Sequence, residues 1–259
     1  MNYLAFIILI PFAAILPFYL KAEKQEKFRT ATTLKVILSG LCACCALLGF
    51  LLLSGSLSFP GFPSLPGDLS LPGNSSSPGF LPGESPLYAR AFVFVALACA
   101  VVGDYFMQFT RLDEKKFGVG IVFFALTQVF LIISLLIRHG IAWPEFAMTA
   151  AIFFFVLLLM KAQRWQAGRA LAPLSVYIAL VIFMTSKAAL PLAACIKAGD
   201  NSIIIVPLFF MAAGATLVLV SDLLLGISLF KPGSKIGVGV KLTTYFCGLM
   251  LIALSNSFY

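Results

Sequence analysis

Two aspartates lie inside long apolar segments of the chain. Asp104 follows Gly103 and Asp222 follows Ser221, whereas the other eight acidic residues fall in the more polar segments between apolar runs. A carboxylate in hydrocarbon costs several kcal/mol unless it is protonated, paired or facing a wet cavity. Asp104 and Asp222 are therefore the candidate catalytic residues. The alternative is a structural hydrogen bond between helices.

A pair of acidic groups in a low-dielectric site has a definite chemistry. Interacting carboxyl groups titrate unequally, so one can act as a general acid and the other as a general base. Such a pair can hydrolyse a substrate through an oxocarbenium-like state, as in glycosidases, without a metal or a nucleophilic serine. It would equally serve a proton-coupled transporter. The residue types alone do not choose between enzyme and transporter.

Other polar residues within the apolar segments are predicted to reach the same depth and bind substrate. They are Lys35, Gln128, Tyr177, Lys241 and Tyr245. For the two lysines, which lie near the ends of their segments, the alternative is that they extend to the lipid headgroups. Lys187, near the outer end of its segment, is expected to be an interfacial anchor.

Metal, cofactor and nucleic-acid chemistry are not indicated. All six cysteines lie in or beside apolar runs and are interpreted as packing residues; they are Cys42, Cys44, Cys45, Cys99, Cys195 and Cys247. The one histidine, His139, lies in a connection beside Arg138. The net charge is +8, but Lys and Arg cluster between apolar runs and form no basic face of the kind that binds nucleic acid.

The composition requires a membrane to position these residues. Hydrophobic residues make up 61% of the 259 residues and charged residues 11%, against roughly 45–50% apolar content in soluble domains. A span needs about 20 apolar residues. Eight such segments predict an all-α bundle, a single transmembrane domain over 1–259, with spans at about 2–20, 32–54, 87–109, 117–138, 142–161, 170–191, 203–228 and 237–257.

Charge asymmetry predicts the orientation of the bundle. Twelve Lys and Arg residues lie in the connections after spans one, three, five and seven, and only Arg90, Arg138 and Lys197 lie on the opposite side. The positive-inside rule then places both termini outside. Asp104 and Asp222 each precede an inner connection by a few residues. Both are therefore expected in the inner half of the bilayer.

Residues 55–86 differ in kind from the spans. They contain seven of the fourteen prolines and five Pro-Gly pairs. Pro-Gly favours turns and interrupts helix and sheet hydrogen bonding. This segment is predicted to be an irregular outer loop, either a passive insertion or a lid over the bundle.

Three stretches resemble the YhhN-like lysoplasmalogenase family: ALACAVVGD at 96–104, GATLVLVSDLLLG at 214–226 and LIALS at 251–255. The resemblance runs from about residue 31 to the end, apart from the Pro-Gly loop. It implies about eight spans and cleavage of the vinyl-ether bond of lysoplasmalogens to a fatty aldehyde and a glycerophospho-base. It also implies a lysophospholipid substrate, membrane lipid as partner, catalytic roles for Asp104 and Asp222, and a match of Lys35 to the lysine of an early helix.

Two positions depart from the family pattern. Thr127-Gln128 stands where the family often has Ala-His, and Gly248-Leu249 stands where it often has Ala-Gln. These changes in the polar interior could alter the substrate or the activity. The expected function is a lysoplasmalogen hydrolase in a bacterial inner membrane or a eukaryotic endomembrane. The alternatives are a proton-linked transporter and a non-catalytic lipid-binding protein.

Overall fold

A computed structural model describes residues 7–25, 27–53, 85–108, 114–165, 171–199, 205–231 and 237–258. The predicted loop at 55–86 lies outside these residues, except for its last two, which begin a helix.

The described residues form eight helices and no strand. Their bounds are α1 Leu9–Lys24, α2 Phe28–Leu53, α3 Ser85–Met107, α4 Glu114–His139, α5 Trp143–Ala162, α6 Leu171–Lys197, α7 Ile205–Phe230 and α8 Val238–Phe258. The predicted all-α membrane bundle is confirmed.

Seven of these helices, α2 to α8, are long and apolar enough to cross a membrane. The described part of the first predicted span is shorter, since α1 has 16 residues. This helix ends later than the predicted residue 20, because it continues through Lys21, Glu23 and Lys24. Lysine and glutamate are good helix formers, so the change to charged residues does not end the helix.

Helix α8 contacts four other helices. It packs most extensively on α7 and also contacts α1, α2 and α3, while α3 packs closely on α4. Helix α6 contacts α4, α5 and α7. The helices α2, α3, α4, α6, α7 and α8 therefore form a closed ring of neighbours, and α5 lies outside it against α6.

Two glycines set the register between α7 and α8. A Cβ atom added at Gly214 would lie 2.7 Å from the Gly248 carbonyl oxygen, and one added at Gly248 would lie 2.9 Å from the Gly214 carbonyl oxygen. Small residues allow this close backbone approach between membrane helices. Ser221 lies seven residues after Gly214, and Lys241 lies seven residues before Gly248. The Ser221 hydroxyl donates to the Lys241 carbonyl at 2.9 Å. The two contacts fix Asp222, the next residue of α7, beside the beginning of α8.

The prediction for Lys187 is wrong. Its side chain is fully buried, and its Nζ lies 2.7 Å from Oε1 of Glu145, which is 3% exposed. The Lys187 ammonium also donates to the Gly140 carbonyl. Gly140, at φ +62°, turns the chain between α4 and α5. This turn places Glu145, in the first turn of α5, against α6, so the lysine pairs within the protein instead of reaching the headgroups.

Candidate functional site

Asp104 is held by residues from two other helices. It lies one turn before the end of α3 and is 1% exposed. The Lys35 ammonium of α2 lies 3.2 Å from Oδ1, and the Tyr245 hydroxyl of α8 donates to Oδ2 at 3.1 Å. A buried carboxylate requires this kind of pairing to remain ionised. The predicted residues Lys35 and Tyr245 therefore meet at Asp104.

Two further residues lie near Asp104 that the sequence did not indicate. Ser39 is buried one turn after Lys35, donates to the Lys35 carbonyl at 2.9 Å and lies beside the Asp104 carboxyl group. Tyr19 of α1 is 1% exposed, packs edge-on against Phe246 and lies within electrostatic reach of Asp104. The four-residue spacing from Lys35, which places Ser39 on the same helix face, was the one available signal.

Asp222 is held in a different way. The hydroxyl group of Tyr177, on α6, donates to its Oδ2 at 2.7 Å. Both side chains are partly buried. The described residues place no Lys or Arg within ion-pair distance of Asp222, in contrast with Asp104. Each aspartate thus accepts a hydrogen bond from a different tyrosine, and the two differ in charge environment.

Gln128 of α4 lies beside the Tyr177 and Asp222 pair. It is 2% exposed, and its amide lies next to the Tyr177 hydroxyl. Its Oε1 has no hydrogen-bond partner among the described residues. The amide therefore presents an unused acceptor beside the Tyr177 and Asp222 pair.

The two aspartates belong to one polar cluster. They are close enough to interact electrostatically, and the Tyr245 hydroxyl interacts with both of them and with Tyr177. Six of the seven predicted site residues therefore converge, from six helices, in the interior of the ring. We call this group the carboxylate cluster: Lys35, Asp104, Gln128, Tyr177, Asp222 and Tyr245.

Lys241 lies to one side of the carboxylate cluster. Its ammonium donates to the Ser228 hydroxyl at 2.8 Å. Ser228 comes six residues after Asp222 on α7, which is a displacement of about 9 Å along a helix axis. The Lys241 side chain therefore extends from the cluster towards the α7 end that is predicted to face the inner surface.

An aromatic residue covers this end of α7. A Cβ atom added at Gly226 would lie 2.6 Å from Cη2 of Trp165, whose ring also stacks on Phe230 with centroids 6.1 Å apart. Arg164, at φ 51°, turns the chain after α5 so that Trp165 reaches this position. Trp165 was not among the predicted site residues, because its place depends on this turn.

The donor set of the site is suited to proton transfer. Among the described residues, no group of three or more His, Cys, Asp or Glu side chains is placed to hold a metal ion. The carboxylate cluster offers two carboxyl groups, two phenols, one ammonium and one amide. These groups can donate, accept and relay protons within a buried volume.

The fold and the cluster define an integral, multi-pass α-helical membrane protein with a buried site containing two carboxyl groups. The YhhN family model matches residues 81–256, about two thirds of the chain. The chain therefore belongs to the YhhN family, as the sequence resemblance predicted. The match includes both aspartates, whereas Lys35 precedes it. No curated protein and no solved structure matches the chain.

Proposed function

We propose that this protein is a membrane-embedded hydrolase that cleaves the vinyl-ether bond of lysoplasmalogens. The observation that carries the proposal is the pair of tyrosine-bound aspartates in one buried cluster, one beside an ammonium and the other not. Membership of the YhhN family supports it. The reaction needs one proton donor, one proton acceptor and water, and the cluster offers the donor and the acceptor.

The charge environment supports different roles for the two aspartates. The Lys35 ammonium at 3.2 Å stabilises Asp104 as a carboxylate, the form that a general base requires. Asp222 has a phenol partner and no cation nearby among the described residues, so it takes the protonated form that a general acid requires. The sequence alone does not say which aspartate is the acid and which is the base.

The reaction begins with proton transfer to carbon. Protonated Asp222 gives its proton to the β-carbon of the vinyl ether, and the double-bond electrons shift to leave an oxocarbenium ion. Water attacks the α-carbon while the Asp104 carboxylate takes a proton from it. The product is a hemiacetal bound beside neutral Asp104 and ionised Asp222.

Collapse of the hemiacetal returns the enzyme to its starting state. Asp104 gives its proton to the glycerol oxygen as the carbon–oxygen bond breaks. The hemiacetal hydroxyl loses its proton to Asp222 and becomes the aldehyde. One water molecule is consumed, and the products are a fatty aldehyde and a glycerophospho-base.

Lys241 is placed to bind the phosphate of the substrate. Its ammonium, beside Ser228, lies between the carboxylate cluster and the predicted inner surface. A lysophospholipid with its vinyl ether at Asp104 and Asp222 would direct its headgroup along this path. The site would then accept substrate from the cytoplasmic leaflet. The aliphatic chain would lie towards the bilayer centre.

The test is product release in heavy water. The purified protein is incubated with lysoplasmenyl-ethanolamine in D₂O, and the aldehyde is reduced at once to the alcohol for mass spectrometry. Protonation at the β-carbon predicts one deuterium on the carbon next to the former aldehyde carbon. The saturated alkyl-ether lysolipid is the matched control and should remain intact.

Absence of aldehyde from folded protein, with both ethanolamine and choline substrates, would contradict the hydrolase proposal. Proton-coupled lipid or solute flux in proteoliposomes would then be measured. Loss of that flux in Asp104→Asn and Asp222→Asn would identify the cluster as a proton relay.

A further inference from the structure

The carbonyl oxygen of the Gln128 side chain is an acceptor that no described residue uses. The residue is 2% exposed, and its Oε1 has no hydrogen-bond partner among the described residues. A buried polar atom without a partner costs roughly 1–3 kcal/mol. A ligand that supplies a donor at this point would recover that free energy.

Two hydroxyl groups that neighbour Gln128, one in space and one in sequence, already donate elsewhere. The Tyr177 hydroxyl donates to Asp222 at 2.7 Å, and the Thr127 hydroxyl donates to the Phe123 carbonyl of its own helix at 3.0 Å. A ligand for Oε1 must therefore bring its own O–H or N–H group. It must also fit beside the Tyr177 and Asp222 pair, where the proposed chemistry takes place.

A lysoplasmalogen carries one such group at the required position. Its glycerol unit has a single free hydroxyl, at sn-2, on the carbon next to the one that bears the vinyl-ether oxygen. A vinyl ether held at Asp222 therefore brings this hydroxyl within a few ångströms of the reacting bond. A lipid acylated at sn-2 has an ester there, which offers no donor and needs more space.

We propose that Gln128 Oε1 accepts a hydrogen bond from the sn-2 hydroxyl of the substrate and so selects lysolipids over diradyl lipids. The inference rests on the proposed function, because it names the substrate group that the same site recognises. A site with a buried acceptor discriminates strongly against an analogue that lacks the donor, since the acceptor then stays unpaired.

Binding of a non-hydrolysable ligand separates this inference from the reaction. The probe is the saturated 1-O-alkyl glycerophosphoethanolamine, compared with its 2-deoxy analogue, by titration of the protein in detergent. The wild type should bind the hydroxyl ligand about ten- to a hundredfold more tightly, which corresponds to one buried hydrogen bond. In Gln128→Met the difference between the two ligands should disappear.

A neighbouring variant controls for general damage to α4. Thr127→Val removes a buried hydroxyl whose hydrogen bond stays within its own helix, so this variant should keep the wild-type discrimination. Equal binding of both ligands by the wild type would overturn the assignment, and this comparison does not depend on the folding of any variant. Discrimination that persists in Gln128→Met would also overturn it.

The two proposals fail in different ways. Hydrolysis of lysoplasmenyl lipid without sn-2 discrimination would leave the proposed function standing and overturn the role of Gln128. Discrimination that depends on Gln128, without any aldehyde release, would leave the recognition site standing and overturn the hydrolase. If the protein showed neither binding of the lysolipid nor hydrolysis, both proposals would be overturned.

Discussion

At the scale of single residues, the two lysines near the site have different partners. Lys35 contacts the carboxylate of Asp104, whereas Lys241 contacts the Ser228 hydroxyl away from the cluster. Lys35 should therefore act on the chemical step and Lys241 on substrate binding. The sequence grouped both residues as substrate-binding, because type and depth alone do not reveal the partner of a lysine.

Substitution of each lysine by methionine should separate these roles. Lys35→Met should lower kcat about ten- to a hundredfold with little change in KM, because hydrogen bonds to charged groups contribute about 1.5–3 kcal/mol. Lys241→Met should raise KM and leave kcat nearly unchanged, as expected when binding to ground state and transition state weakens equally. Steady-state aldehyde release measures kcat and KM for both variants. A Lys35→Met enzyme with only a raised KM would contradict the role on Asp104.

Residue type and span membership were enough to indicate most of the site. A charged, amide or phenol side chain inside an apolar span requires a partner, and Lys35, Gln128, Tyr177 and Tyr245 were selected on that ground. Ser39 was not indicated, because a serine can satisfy itself within its own helix, as its bond to the Lys35 carbonyl shows. Tyr19 was missed because α1 carried no other polar signal at that depth.

At the scale of elements, the approach of α7 to α8 positions Asp222. Gly248→Ala adds a Cβ atom that would lie 2.9 Å from the Gly214 carbonyl oxygen and 2.9 Å from Val218. The helices must separate to accept it, which should cost about 1–3 kcal/mol and lower kcat by displacing Asp222, on α7, from the rest of the carboxylate cluster. Thermal unfolding in detergent and aldehyde release measure the two effects.

Gly40 supplies the matched control. A Cβ atom at Gly40 meets nothing within 4 Å, so Gly40→Ala should keep its activity and gain up to about 1 kcal/mol from helix propensity. If Gly248→Ala behaved in the same way as Gly40→Ala, close contact at Gly248 would not position the site.

Helix α5 depends on the buried pair of Lys187 and Glu145. Lys187→Met leaves an uncompensated buried carboxylate and should cost about 3–5 kcal/mol of stability, whereas Lys187→Met combined with Glu145→Leu should recover much of that loss. The unfolding midpoints of the three proteins measure this. If the double variant were no more stable than the single variant, the pair would not be the source of the loss. The sequence could not indicate this pair, because it depends on the turn at Gly140.

At the scale of the whole molecule, composition predicted the architecture well. Each of the helices α2 to α8 corresponds to a predicted span, although α6 continues six residues beyond the predicted end at 191, because about 20 apolar residues in lipid can satisfy their backbone only as a helix. The packing order of the helices was beyond the sequence, since apolar surfaces of similar composition can pair in several ways.

The orientation in the membrane remains a prediction and is open to test. Reporter fusions at each end should show both termini outside, because the inner connections carry twelve basic residues against three on the other side. Phosphatase activity indicates an outer terminus and green fluorescence an inner one. A fluorescent amino-terminal fusion combined with an active carboxyl-terminal phosphatase would mean that α1 does not cross the membrane. Fluorescence at both ends would contradict the predicted orientation.

The central claim is that Asp104 and Asp222 act together as base and acid on a vinyl ether. The most direct test is aldehyde release from lysoplasmenyl-ethanolamine by Asp104→Asn and Asp222→Asn, with Glu23→Gln as a carboxylate-to-amide control outside the carboxylate cluster. We expect each aspartate variant, while folded, to lose at least about a hundredfold in kcat, and Glu23→Gln to keep its activity. Near-wild-type activity in either folded aspartate variant would rule out paired acid and base catalysis by Asp104 and Asp222.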